Sequence, residues 1–228
     1  MNPSSPFTFV TAFSKSAMPL ILTDTAVSAV LSINAAAIHY LNTLRVYITS
    51  SKELISLLQS FTKGNTPSAQ GALVFQPVLK NSANQPVGLT VWVQQEFLAG
   101  KPVLLFSISD STQAAGLMKK SPPPDSASPV LLLGIAAERT IEFINRSVPG
   151  IGMDQILGSN TDNWTLPEQF GDIRQYELAI ETMRPVIFES KLMGPNEIPL
   201  EAKIYLSPIF EREALTGFVI TAVPLYQA

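Results

Sequence analysis

With 228 residues, a net charge of −3 and a pI near 5.2, the chain has room for two domains of ordinary size and no basic field with which to hold phosphate. Its 15 Lys and Arg are scattered, so nucleic-acid binding is excluded as its main activity. It has no cysteine, which removes disulfides, thiolate metal sites and thiol nucleophiles and fits a reducing cytoplasm.

Charged residues make up 14% of the chain, well under the ~25% usual for soluble domains, so the surface is apolar enough to favour self-association. The N-terminus lacks a basic stretch leading into an apolar run, and no secretory leader is expected. Phe7 to Lys15, with Phe7, Val10, Thr11 and Ser14 at helical spacing, predicts a short amphipathic helix. Residues 25–44 carry no formal charge over a length that could span a bilayer, but Thr25, Ser28, Asn34, His39 and Asn42 are too polar for insertion. A soluble, cytoplasmic chain is expected.

Leu20 to Leu22 and Ala29 to Ile33 read as short strands, followed by Asn34 capping a helix to Leu41. Ser50 and Glu53 have capping-box spacing before the apolar face of Leu54, Ile55, Leu57, Leu58 and Phe61. Strands follow at Ala72 to Leu79, Val87 to Gln95 and Val103 to Ser109, with a turn at Asn81 to Asn84. The same order then recurs: strands at Leu131 to Ala136 and Thr140 to Ile144, a helix at Asp172 to Arg184, and strands at Val186 to Leu192, Leu200 to Ser207 and Thr216 to Val223.

The recurrence is also visible residue by residue. Leu73-Val74-Phe75 through Trp92 to Phe97 matches Val186-Ile187-Phe188 through Tyr205 to Phe210 at a constant spacing of 113. Between the copies, Gln113 to Pro129 contains Ser121-Pro122-Pro123-Pro124-Asp125-Ser126 and reads as an extended linker. The expected organisation is therefore 1–112 with the N-terminal helix, a linker at 113–129, and a second domain at 130–228.

Both copies carry a strand-Asn-helix junction, Ile33-Asn34-Ala35-Ala36 and Ile144-Asn145-Arg146-Ser147. The second adds Gln155-Ile156-Leu157-Gly158 and Arg184-Pro185-Val186-Ile187-Phe188-Glu189, and the first closes on Phe106-Ser107-Ile108-Ser109-Asp110-Ser111-Thr112. Taken in order and twice over, these segments resemble the PAS superfamily. Copy two departs by ending Val223-Pro224-Leu225-Tyr226 without the Asp, and copy one lacks the leucine-glycine segment. The resemblance implies an α+β fold in each copy, a five-stranded antiparallel sheet with short helices on one face around a small cavity. It also implies a non-catalytic sensory and dimerising role in a bacterial-type signalling protein, relayed to an effector outside this sequence. A histidine kinase and a cyclic-dinucleotide enzyme both fit as effector. The alternative is a structural pair with filled cores that forms a homodimer or holds a partner protein. Because PAS domains normally lead into a coupling helix, the chain is expected to be a piece of a longer protein.

A ligand cavity would be lined by Tyr40, Leu54, Leu58 and Phe75 in copy one, and by Trp164, Leu166, Phe170 and Ile204 in copy two; plain core filling is the favoured reading of these aromatics. His39, the single histidine, has no Cys or second His to form a metal site, so haem through it is not expected and no cofactor is predicted. Asp154, Asp162, Glu168 and Asp172 match no calcium loop or paired-carboxylate scheme. Trp92 and Tyr205 occupy matching positions on the alternating polar face of the middle strand and need cover. With Phe9 and Phe13 of the N-terminal helix they form the expected interface, within the chain or in a homodimer.

Overall fold

The computed structural model describes residues 7–44, 50–62, 65, 67, 68, 71–81, 83–110, 130–146, 151–164, 172–193 and 199–225. They fall into two compact units, Met18–Val130 and Met1–Ala17 together with Leu131–Leu225. The expected linker, 113–129, lies outside the described residues. The chain begins with α1 (Phe9–Lys15), capped by Thr8, whose side chain accepts from the Thr11 amide.

The unit Met18–Val130 runs β1 (Leu20–Thr23), β2 (Val30–Ile33), α2 (Ala35–Thr43), α3 (Ser51–Thr62), β3 (Ala72–Phe75), β4 (Val78–Lys80), β5 (Pro86–Leu98) and β6 (Lys101–Asp110). All strand pairs are antiparallel, in the order β2-β1-β6-β5-β3, with β4 also paired to β5. The sheet has one strand more than expected because the run from Ala72 to Leu79 breaks at Gln76-Pro77, where the proline has no N–H for the ladder. Helices α2 and α3 bury Ala37, Leu41, Leu54, Leu58 and Phe61 against Leu89, Val91, Val93, Leu104, Phe106 and Ile108 of the long hairpin. Asn81 closes the turn after β4 by accepting the amides of Ala83 at 3.0 Å and Gln85 at 2.9 Å.

The second repeat runs β7 (Leu131–Ala136), β8 (Ile141–Ile144), α4 (Met153–Ile156), a 3-10 turn (Thr161–Trp164), α5 (Asp172–Thr182), β9 (Val186–Met193), β10 (Pro199–Glu211) and β11 (Ala214–Pro224). Its five-stranded antiparallel sheet has the order β8-β7-β11-β10-β9. Its core joins Leu131, Ile135, Ala202, Ile204, Leu206, Phe218, Ile220 and Ala222 with Ala179 of α5. Each repeat thus has the α+β architecture expected of it, a mainly antiparallel sheet with a few helices.

Although the sequence reading grouped α1 with the first repeat, it packs on the sheet of the second, against β7 and β11. The physical reason is a slot made by two glycines. A Cβ on Gly134 would meet Phe7 atoms at 2.5 Å, and one on Gly217 would meet the Phe7 ring at 2.7 Å, so only bare backbone lets this ring lie on the sheet. Ala12 and Phe13 are buried beside it, and the hydroxyls of Ser16 and Thr221 lie 2.6 Å apart. Gly134→Ala is therefore expected to destabilise this unit by about 1–3 kcal/mol through overpacking. In a thermal-denaturation double-mutant cycle, Phe7→Ala should recover most of that loss, because it removes the atoms that clash.

Candidate functional site

The interior of the first repeat is built by three elements. Amphipathic α3 turns Leu54, Leu58 and Phe61 inward at helical spacing, α2 contributes Leu41 and Tyr40, and β3 adds Leu73 and Phe75. Four of the expected lining residues therefore meet in one cluster: Leu54 and Leu58 are buried, and Tyr40 and Phe75 are partly buried against them. The Gln59 amide of α3 donates to the Val27 carbonyl at 2.9 Å, tying the helix to the β1–β2 turn. Val27 is buried there at φ +51, a left-handed conformation that strains a β-branched residue. Asp24 closes the same turn, accepting from the Ser28 and Ala29 amides and from the Ser28 hydroxyl. Desolvation pushes its carboxyl up, but these hydrogen bonds more than offset this and hold it below the usual carboxylate value.

His39 lies on the exposed side of α2, while its neighbour Tyr40 faces the cluster. Among the described residues no group of three or more His, Cys, Asp or Glu is placed to hold a metal ion. Of the carboxylates noted in copy two, Asp162 pairs with Arg139 at 2.7 Å, and Glu168 lies outside the described residues.

Of the lining residues expected in the second repeat, the two that are described, Ile204 and Trp164, belong to different clusters. Ile204 belongs to the main core, where Tyr176 meets Phe218 edge to face at 4.9 Å and the Arg139 guanidinium lies 5.9 Å from the Tyr176 ring centre. Trp164 packs instead on a separate cluster of Ile141, Ile144 and Ile156, and its indole N–H donates to the Ser159 hydroxyl at 2.5 Å. Its one polar group is thus satisfied by the fold itself. Leu166 and Phe170 lie outside the described residues.

The aromatics expected at an interface are covered within a single chain. Trp92 is 3% exposed and Tyr205 4%, Phe13 is buried and Phe9 partly so, and Lys203 sits 5.8 Å from the Tyr205 ring centre. Cover for Trp92 and Tyr205 is expected either within the chain or from a second protomer, and both rings are already buried in the single chain.

Two further contacts escaped sequence reading. Within the unit Met18–Val130, the Gln94 side chain pairs with the Val130 backbone in both directions, accepting its amide at 2.7 Å and donating to its carbonyl at 2.9 Å, and also donates to Glu96 at 2.7 Å. Within the other unit, Ser207 accepts the Ala17 amide at 3.0 Å. Gln94 matches Ser207, and Ala17 matches Val130, at the same spacing of 113 found in the repeat. Each middle strand therefore fastens the residue at which the chain crosses into the other unit. A buried polar residue at equivalent positions of two apolar strands was the available signal.

No family profile matches the chain, and no curated protein matches it. Solved structures similar to part of it include the Drosophila melanogaster Cycle PAS-B domain with bound ethylene glycol, at 11% identity over 42% of this chain and 99% of that one, with a TM-score of 0.38. The PAS domain of a Colwellia psychrerythraea protein is 14% identical over 42% of this chain and 86% of that one, with a TM-score of 0.39. The PAS domain of an HTR-like protein from Haloarcula marismortui is 15% identical over 50% and 91%, with a TM-score of 0.36.

Proposed function

We propose that the chain, with its two antiparallel sheets in tandem, is a non-catalytic sensory and dimerising module of PAS type, taking a small ligand in the first repeat and relaying its state to an effector outside this sequence. The observation that supports this is the convergence of Tyr40, Leu54, Leu58 and Phe75 between α2, α3 and the sheet, with two aromatics that stop short of full burial. Such a site favours a small, largely apolar ligand with one polar end near an aromatic hydroxyl. Ligand binding would act by differential affinity for two arrangements of the α2–α3 cover, and a histidine kinase or a cyclic-dinucleotide enzyme would read the difference. Among the described residues no helix is long and apolar enough to cross a membrane, and a cytoplasmic location is part of the proposal.

Native mass spectrometry of the purified chain, with an absorption scan of the same sample, tests the reading. Retained extra mass that falls away in a Tyr40→Ala variant is the expected result. A bare chain at twice the monomer mass, unchanged in thermal stability across a small-molecule panel, would overturn ligand sensing in favour of a dimeric scaffold with a filled core.

A further inference from the structure

The second sheet ends on a long edge. Strand β9 has 8 residues, against 4 each in the edge strands β2, β3 and β8 and 3 in β4, and among the described elements it pairs with β10 alone. Ile187 on this strand is 51% exposed, and Glu189 and Lys191 are exposed as well. An edge of this length is a template for another strand unless something blunts it. The first repeat blunts its own. The spacing of 113 sets Gln76-Pro77 on Glu189-Ser190, and the proline that separates β3 from β4 has no counterpart in β9.

The charges along this edge decide what fits it. Glu189 stands opposite Lys203 of β10, and Lys191 stands opposite Glu201, whose carboxylate lies 3.9 Å from the Lys191 ammonium. We propose that β9 pairs antiparallel with β9 of a second copy of this chain, about a two-fold axis through Ser190. In that register Glu189 faces the partner's Lys191. A row across the joined sheet then reads Lys203, Glu189, the partner's Lys191 and the partner's Glu201, alternating in sign throughout. Moving the axis one residue toward the start of the strand sets Glu189 against the partner's Glu189, and moving it one residue onward sets Lys191 against the partner's Lys191, like charges in direct opposition. An axis between two residues is excluded, because it brings a residue of one sheet face against a residue of the other. The edge is therefore self-complementary in one register, as a two-fold interface requires. The inference rests on the dimerising part of the reading above and gives it a place in the fold.

Sedimentation velocity of the full chain over a concentration series tests this. The dimer is expected to weaken about tenfold or more in Glu189→Lys, which places like charges opposite each other on both sides of the axis. It should recover in Glu189→Lys/Lys191→Glu, where opposite charges face each other across the axis again, while a retained thermal transition reports that each variant is folded. The chain has no cysteine, so Ser190→Cys supplies a single thiol that the axis sets directly against its copy, and oxidation should link the pair. Ile187→Cys, although far more exposed, would lie about 20 Å from its copy and should not link. A dimer that keeps its full strength in Glu189→Lys, or that forms no link through residue 190, overturns this interface and leaves dimerisation to another face. A chain that is monomeric at every concentration leaves the edge to a different protein and overturns the inference together with the dimerising reading.

Discussion

Asn34→Ala is expected to destabilise the first repeat by about 3–5 kcal/mol, among the largest effects available from one polar side chain. Asn34 is 2% exposed, and its carboxamide reaches three backbone groups. Its oxygen accepts the Leu20 amide at 3.0 Å and the Ala37 amide at 2.9 Å, and its nitrogen donates to the Met18 carbonyl at 2.9 Å. One residue thus extends the β1–β2 ladder, which also has the Asn34 amide on the Leu20 carbonyl, and caps α2. Alanine leaves two donors and an acceptor buried without their partners. Asn145 at the matching junction accepts the Leu132 amide at 2.8 Å but is only partly buried, so Asn145→Ala should lose less, about 1–2 kcal/mol. Urea unfolding of both variants checks the ranking, and equal losses would refute the dependence on burial.

This Asn is also where the sequence was most legible. At Asn34 a polar residue that ends one strand and caps a helix has a local physical cause, and β1, β2 and α2 formed within a few residues of their expected bounds; at Asn145 the strand β8 ends as expected, and residues 147–150 beyond it lie outside the described residues. The hairpin turns were harder. Ala99 and Gly100 turn β5 into β6 with φ of +50 and +76, and Arg212 and Glu213 do the same for β10 and β11 at +49 and +69. The second pair has no residue that favours positive φ, so only its spacing of 113 from the first betrays it.

The interior cluster of the first repeat was legible because α3 is strongly amphipathic, whereas Trp164 was grouped with Ile204 from chain position alone and packs elsewhere. Hidden altogether were contacts that depend on what reaches a sheet face from far along the chain. Phe7 meets Gly134 and Gly217 over more than half the chain length, and no local pattern announces that two glycines in separate strands form one slot.

Trp92→Glu is expected to lower stability by about 4 kcal/mol or more, since it buries a carboxylate where a nearly fully covered indole stood. An interface exposed in the free protomer would respond differently: its charge variant stays folded and the particle mass halves. Trp92 at 3% exposure predicts the reverse order of events, with the urea midpoint falling while the mass of the folded species is unchanged. Its neighbours reinforce this, because Val74 and Ser107, the cross-strand residues on either side, carry no cation to pair with an introduced carboxylate. The new group would fold only in its protonated form, so the loss should grow as pH rises through the ordinary carboxylate range and shrink in acid. Trp92→Phe separates ring volume from charge: it keeps most of the apolar surface and removes the N–H, so its effect should be several-fold smaller and independent of pH. A Trp92→Glu chain that unfolded at the wild-type midpoint would show that this face is open to solvent in solution, and the burial on which the prediction rests would be refuted.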